Sequence, residues 1–354
     1  MGEAFLHQSG NGMRYRGLSA TLAAPYNVFY TGQAIDISHA VITADLGKVS
    51  LTVPPSACSV SPATAANGTT SITISYTIGA ITRSATVSIT VIAADTFGNT
   101  SWANIALMAY YGYAKLLWNL GDEKTEVIDG VSHTWRIIGF DHDPLSESDA
   151  KYNDANYNRG AKKAALTIQW KTAAGTAVVS SEPSAWYNCS MRTTTLPALL
   201  ESMPSDLKNN VRTVKKMTYG LTKTSYSNEL SISDLVILPE TIFLLSYTDA
   251  NYVCPDQFTP SVPISAYKAA ILTEDTPYAY FAYEWTDTSD YGGYVPGDYL
   301  TYDASNGEQT RILNPSQSPG VYAWRMRPES EITQQKPKYS YNSDSAAYFP
   351  VFNI

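Results

Sequence analysis

The sequence predicts an α+β fold in which an N-terminal β-sandwich precedes a larger mixed domain with long loops. Three observations lead to this prediction. Over residues 17–94, apolar residues alternate with serine and threonine, as in half-buried antiparallel strands. From Trp102 onward, apolar residues recur at helical spacing. Beyond Leu272 there is almost no helical period, only short strand patterns separated by Gly, Pro and Asn.

Residues 71–91 carry the clearest strand signal. In SITISYTI and RSATVSITV every second residue is apolar, and Gly79-Ala80 between the two runs predicts a hairpin turn. Further strands are predicted over 18–22, 34–37 and 49–53. Short strands at this spacing are typical of a small β-sandwich over 17–94, and the stretch resembles bacterial immunoglobulin-like domains. Such domains usually act as spacers, with ligand binding as the alternative.

A domain junction is predicted at 93–99, after an N-terminal segment (1–16) and the sandwich. The first helix then begins with Thr100 or Ser101 as its N-cap. Its buried stripe is predicted to comprise Trp102, Ile105, Met108 or Ala109, Gly112 and Leu116. Strands are predicted over 133–140, 165–170 and 242–246. The second domain therefore spans 100–354.

Two further helices are predicted between 195 and 214. Thr195 is the expected N-cap of one and Ser205 of the other. Their inward residues are predicted to be Leu196, Leu199, Leu200 and Met203 in the first, and Leu207, Val211 and Val214 in the second.

Composition and charge exclude several classes of protein. With 354 residues, 44% hydrophobic and 16% charged, the chain suits two or three globular domains. A net charge of −8 argues against a nucleic-acid partner and against docking on anionic membranes. No apolar leader or bilayer-length segment appears. We therefore expect synthesis in the cytoplasm without a Sec signal peptide, and no membrane insertion.

The three cysteines, Cys58, Cys189 and Cys254, show neither metal-ligand nor disulfide-framework spacing. Buried free thiols are the expectation, and a bridge between Cys189 and Cys254 is the alternative.

An acidic loop over 141–154 is the strongest metal candidate. Its carboxylates are Asp141, Asp143, Glu147, Asp149 and Asp154. Hard oxygen ligands at this density could bind calcium, but the loop lacks EF-hand glycine placement, so a solvated acidic loop is the preferred interpretation. His142 is expected to be structural. No nucleophile elbow, P-loop or dinucleotide turn appears, so we expect neither an enzyme nor a cofactor.

The last third of the chain is crowded with tyrosine. We refer to residues 278–348 as the tyrosine-rich segment. Its tyrosines are Tyr278, Tyr280, Tyr283, Tyr291, Tyr294, Tyr299, Tyr302, Tyr322, Tyr339, Tyr341 and Tyr348. They are interleaved with Gly, Ser, Asn and Asp, a mixture typical of binding surfaces such as antibody loops.

Seven ordered blocks between 119 and 354 resemble a C-type-lectin-like domain family found in phage and surface proteins of gut Firmicutes. The blocks are NLGDEKTEVIDG (119–130), WRIIGFDHDPL (135–145), YNCSMRTTTLPALLESMPSDLKNNVRTVKK (187–216), IFLLSYTD (242–249), YAYF (278–281), YAWRMRP (322–328) and AAYFPVFNI (346–354). The family is akin to the formylglycine-generating-enzyme fold and to the variable proteins of diversity-generating retroelements. The resemblance implies a binding face of irregular loops supported by a small antiparallel sheet. Where the family has Trp, Arg and then Ser-Pro, this chain has WRMRP, which leaves open which arginine fills the structural role.

The residues expected to bind a ligand come from this end of the chain. They are Tyr291, Tyr294, Tyr299, Tyr302, Asn306, Trp324, Arg325, Arg327, Tyr339, Tyr341, Asn342 and Asp344. For the tyrosines, plain loop packing is the alternative; for the arginines it is a buried ion pair.

The predicted function is recognition without catalysis. We expect a receptor-binding protein of a phage tail or similar surface assembly, whose partners are a cell-surface protein or glycan and other virion subunits. The alternative is a purely structural virion component with no host ligand. A homo-oligomer such as a trimer, and diversification of the C-terminal codons by a retroelement, stay open.

Overall fold

The computed structural model describes residues 14–177, 189–219, 235–244, 278, 309–313, 322–325, 338–341 and 346–354. For the strands between 309 and 341, only the backbone pairing is described. The chain divides into two compact units, Met1–Asp95 and Thr96–Ile354. Of the described residues 40% are strand and 18% helical, so the predicted α+β class is wrong and the chain is β-rich. The described α-helices are short, with four to nine residues each, so strands outweigh them.

The N-terminal unit consists of short strands. They are β1 (Gly17–Thr21), β2 (Val28–Tyr30), β3 (Val41–Asp45), β4 (Ser50–Val53), β5 (Ser59–Ser61), β6 (Ser71–Ile78), β7 (Ile81–Ser88) and β8 (Thr90–Ile92). Two antiparallel sheets have the orders β1-β3-β4 and β5-β6-β7, and β2 pairs with β8 in parallel. The strand predicted over 34–37 is reduced to one bridge between Ala34 and Thr64.

Alternation in β6 and β7 produces the core of this unit. Ile72, Ile74 and Val87 are buried, while the serines and threonines between them lie toward solvent. The predicted hairpin turn is confirmed, because Ile78 pairs with Ile81 and Gly79 has φ +60°. A glycine suits this turn since it adopts positive φ without a steric penalty.

The described helices of the second unit are α1 (Trp102–Tyr110), α2 (Ala114–Leu117), α3 (Leu196–Ser202) and α4 (Ser205–Lys208). Ser101 caps α1 by accepting a hydrogen bond from the backbone N–H of Asn104, which confirms that N-cap. The predicted stripe is wrong at its far end. The backbone turns at Gly112, where φ is +68°, so Leu116 falls in α2 and is 59% exposed. No described helix has the length and apolar character needed to cross a membrane.

Neither of the other predicted N-caps acts as one. Thr195 has helical backbone angles, because a π-helical turn over Met191–Thr195 runs straight into α3. Ser205 is the first residue of α4, preceded by Pro204, and this helix ends at Lys208. Val214 is buried, but it begins a strand. The predicted helix therefore combined apolar residues that belong to two separate elements, the helix α4 and the strand that begins at Val214.

Strands dominate the second unit. They are β9 (Glu123–Ile128), β10 (Val131–Phe140), β11 (Leu166–Trp170), β12 (Gly175–Ala177), β13 (Val214–Tyr219), β14 (Leu235–Glu240), β15 (Ile242–Phe243), β16 (Gln309–Leu313), β17 (Tyr322–Arg325), β18 (Lys338–Tyr341), β19 (Ala346–Tyr348) and β20 (Val351–Asn353). An antiparallel sheet with the order β15-β20-β11-β10-β9 forms the centre. The smaller sheets are β12-β19, β13-β14 and β16-β17-β18.

One face of the five-stranded sheet carries an aromatic core. Trp135 and Trp170 pair across β10 and β11 with ring centroids 5.6 Å apart. Phe352 of β20 lies 5.2 Å from Trp170, and Trp102 of α1 lies 5.3 Å from Trp135. Trp135 and Trp170 are fully buried and form the centre of this core.

Candidate functional site: a buried polar anchor at the ends of the tyrosine-rich segment

Four of the residues predicted to bind a ligand lie on described strands. Trp324 and Arg325 belong to β17, and Tyr339 and Tyr341 belong to β18. In the register of this pair, Trp324 stands opposite Tyr339. The sheet therefore brings these two backbone positions together. The remaining predicted residues lie outside the described part of the chain: Tyr291, Tyr294, Tyr299, Tyr302, Asn306, Arg327, Asn342 and Asp344.

The two ends of the tyrosine-rich segment are core, which corrects the prediction that the whole segment is surface. Tyr278 is 0% exposed and Tyr348 is 7% exposed. Tyr348 packs against Gly175, where a Cβ atom would stand 3.1 Å from its hydroxyl. Burial raises the pKa of the Tyr348 phenol. These two rings stabilise the fold and are not available to a partner.

The second face of the five-stranded sheet is polar although it is buried. Arg136 of β10 donates from Nε and one terminal nitrogen to Oε1 of Gln169 on β11, at 3.1 and 2.7 Å. The Thr167 hydroxyl donates to Oδ1 of Asn353 on β20 at 2.7 Å. All four side chains are at most 1% exposed. Buried polar groups are tolerated when they are hydrogen-bonded, as here.

Asp143 lies at the centre of this polar face. Its Oδ2 accepts hydrogen bonds from the Tyr278 hydroxyl at 2.6 Å and from Nδ2 of Asn353 at 3.0 Å. Its Oδ1 lies 3.1 Å from the Lys216 ammonium and 2.8 Å from Nδ1 of His142. We call the set Asp143, Lys216, Tyr278 and Asn353 the polar anchor. Each member is at most 1% exposed.

Packing around the polar anchor fixes the Tyr278 ring. The His142 ring lies 4.0 Å from it, and the Lys216 ammonium lies 5.0 Å from its centroid. Tyr278 also approaches Gly139 of β10 so closely that a Cβ there would stand 2.9 Å from its Cδ1. Glycine is therefore required at this position by a close approach of the ring. The structural role expected for His142 agrees with these contacts.

The electrostatics of the polar anchor favour a charged carboxylate. Burial alone would raise the pKa of Asp143, but the Lys216 ammonium, His142 and the Tyr278 hydroxyl together hold that pKa well below its ordinary range. A buried ion pair of this kind is stable only when its remaining hydrogen-bonding positions are also satisfied. The polar anchor therefore links separate segments of the chain, and its charged groups are buried.

The carboxylate of Asp143 therefore joins the start of the tyrosine-rich segment to a residue just beyond its end. Tyr278 opens the tyrosine-rich segment, and Asn353 follows shortly after its end at Tyr348. Both side chains donate to the same Oδ2 atom. Sequence reasoning missed this anchor. Polar residues within otherwise apolar strands, Arg136 in WRIIGF and Thr167 and Gln169 in LTIQW, were a signal only for the buried polar face on which it lies.

Protein donors hydrogen-bond several carboxylates of the acidic loop over 141–154, in which Glu147 stays 63% exposed and Asp143 is buried. Asp141 pairs with Lys115, and Glu147 pairs with Lys215. The remaining contacts are Asp149 with the Thr213 N–H at 2.6 Å and the Lys151 N–H at 2.7 Å, and Asp154 with the Lys151 ammonium at 3.0 Å. Among the described residues, no group of three or more His, Cys, Asp or Glu is arranged to hold a metal.

Cys189 is a buried free thiol, and burial raises its pKa to about 11. Cys58 is a half-buried free thiol, and Cys254 lies outside the described residues. A thiol with a raised pKa is a poor nucleophile at neutral pH.

The lowered pKa of Asp143 predicts an acid-sensitive fold. Because the folded-state pKa lies below the ordinary value near 4, the unfolded chain takes up this proton first as pH falls. The stability that the carboxylate contributes is therefore complete above about pH 5 and is lost as pH falls through about 4 and below. We expect the free energy of unfolding to fall more steeply from about pH 5 to about pH 3 in the wild type than in D143N/K216M. Equal slopes in denaturant titrations would contradict this assignment.

Comparisons with known proteins assign no family. No protein-family model matches the chain, and neither a curated protein nor a solved structure matches it. The resemblance to C-type-lectin-like domains stays a prediction from its sequence blocks, and function is argued from the geometry.

Proposed function

We propose that this chain is a non-enzymatic binding protein whose tyrosine-rich segment recognises a cell-surface protein or glycan. The observation that carries the proposal is the polar anchor, in which Tyr278 and Asn353 donate to one oxygen of Asp143. The residue that opens the tyrosine-rich segment and a residue just beyond its end are thus fixed at one buried point before any partner arrives. Preorganisation of this kind lowers the entropic cost of binding.

The composition between the anchored ends supports recognition over catalysis. Tyrosine supplies rigid contact area and a hydroxyl, and the Ser, Gly and Asn around it supply adaptable hydrogen bonds. The pairing of β17 with β18, which places Trp324 opposite Tyr339, provides a regular base for such contacts. The N-terminal all-β unit would act as a spacer in a phage tail or similar surface assembly.

The proposal is tested by removing tyrosines from the interior of the segment. We expect the variant with Tyr291, Tyr294, Tyr339 and Tyr341 all replaced by alanine to bind host cells at least about tenfold more weakly, because aromatic anchors dominate interface energies. Purified labelled protein and a panel of bacterial cells provide the assay. The control is Tyr26→Ala, which removes a tyrosine that is 46% exposed in the N-terminal unit. Unchanged binding by the folded four-tyrosine variant would favour the structural virion component.

A further inference from the structure

An exposed basic turn precedes β11. The sequence there is Asn-Arg-Gly-Ala-Lys-Lys over 158–163, and Arg159, Lys162 and Lys163 are all exposed. Within the part of the chain that the structure describes, none of these three cations forms a salt bridge. The chain as a whole carries a net charge of −8, and this turn groups three cations within the five residues 159–163. The turn therefore concentrates three exposed cations on an acidic protein.

The backbone of this turn is strained at the residues that carry the charge. Asn158, Arg159 and Lys162 have φ of +44°, +55° and +53°. The left-handed region is unfavourable for residues with a Cβ atom, and glycine would fit better. Asn158 has a structural reason to be there, since its buried Nδ2 donates to Asp141 Oδ1 at 2.7 Å and to the Lys163 carbonyl at 3.1 Å. Arg159 and Lys162 are exposed, and strain at such positions is characteristic of functional sites.

Aromatic neighbours orient the two strained cations. Arg159 donates from Nε to the Tyr111 carbonyl at 3.3 Å, and its guanidinium lies 5.3 Å from the centroid of the Tyr113 ring. The Lys162 ammonium lies 4.4 Å from the centroid of the Tyr152 ring. These contacts restrict long side chains that would otherwise lose more entropy on binding.

The surroundings of Lys162 also keep it available for a partner. Lys215 lies near the same Tyr152 ring, at 5.9 Å from its centroid. Glu147, the carboxylate close enough to feel the charge of Lys162, is bonded to Lys215. The Glu147 carboxylate is therefore occupied by Lys215, and Lys162 forms no salt bridge among the described residues.

We propose that Arg159, Lys162 and Lys163 form a docking surface for an anionic glycan, a sugar chain that carries sulfate, phosphate or carboxylate groups. Charge complementarity identifies the partner, since a fixed group of cations on an acidic chain selects a partner with negative charges. A short group of cations matches the spaced charges of a glycan. It is too small for duplex DNA, whose binders usually neutralise many phosphates along the backbone.

The test uses the full chain, with dextran sulfate as the probe and neutral dextran and a DNA duplex as comparisons. We expect the wild type to bind dextran sulfate, with an affinity that falls as salt is raised. R159G/K162G should bind about three- to tenfold more weakly, the scale of two exposed ion pairs. Its unfolding midpoint should be equal or higher, because glycine relieves the left-handed strain at both positions. This separates loss of binding from loss of structure.

The matched control is K48Q/K171Q, which removes the exposed Lys48 and the half-buried Lys171 elsewhere in the chain and should bind dextran sulfate as the wild type does. The inference is overturned by a wild type that does not bind dextran sulfate. It is equally overturned if the control loses as much affinity for dextran sulfate as R159G/K162G does. Binding to the DNA duplex as tight as binding to dextran sulfate would assign the surface to nucleic acid instead.

Discussion

Replacing Lys216 with methionine should destabilise the protein by about 3–5 kcal/mol, because it leaves the Asp143 carboxylate buried without its cation. Lys216 is fully buried and Asp143 is 1% exposed, so water cannot solvate the remaining charge. Methionine keeps most of the side-chain volume beside Phe243 and Tyr278, which isolates the loss of charge. Denaturant titration at pH 7 gives the free energy of unfolding.

Two control variants identify the cause of that loss. K171M removes a lysine whose salt bridge to Glu123 is exposed, and it should change the free energy of unfolding by less than about 1 kcal/mol. D143N/K216M removes both charges and should be more stable than K216M alone, because a neutral pair avoids the uncompensated buried carboxylate. If K216M and K171M lowered the free energy of unfolding by the same amount, the polar anchor would not stabilise the fold.

Trp170→Ala should lower the free energy of unfolding by about 3–5 kcal/mol, because it leaves a cavity in the aromatic core. Trp170 is fully buried, with Phe352 at 5.2 Å and Trp135 at 5.6 Å. In the described structure its indole N–H has no hydrogen-bond partner, so the substitution removes packing without breaking a hydrogen bond. Thermal and denaturant unfolding measure the effect.

Val127→Ala is the matched truncation on the same sheet. Val127 is 70% exposed on β9, so the substitution should change the free energy of unfolding by no more than about 0.5 kcal/mol. Similar losses for the two variants would mean that the aromatic cluster is not the core of the second unit.

The sequence predicted strands better than helices in this chain. Alternation located β6 and β7, because each has one face on a core, and apolar runs located β10 and β11, whose central residues are buried on both faces. Helical spacing was misleading, since the apolar residues Leu207 and Val214 lie on α4 and β13. The apolar spacing predicted longer helices than the structure has. The first ends before the positive-φ turn at Gly112, and α4 ends at Lys208. Local pattern cannot show where tertiary packing stops a helix.

The candidate site was predicted only in part. Tyrosine composition identified the segment, but composition cannot separate a ring held in the core, such as Tyr278, from one available to a partner. The polar anchor joins Asp143, Lys216, Tyr278 and Asn353, which are far apart in sequence, and only the folded chain brings them together. The Arg159 and Lys162 surface was missed for a similar reason, because its strain is a property of backbone angles.

Cell binding by the four-tyrosine variant, measured beside the wild type as a ratio of dissociation constants, decides whether this chain is a recognition protein. Tyr278 and Tyr348 stay intact in that variant, so the polar anchor and the core are preserved. We expect a ratio of at least about ten with an unchanged unfolding midpoint. A ratio near one, from a variant that unfolds like the wild type, would contradict recognition by the tyrosine-rich segment.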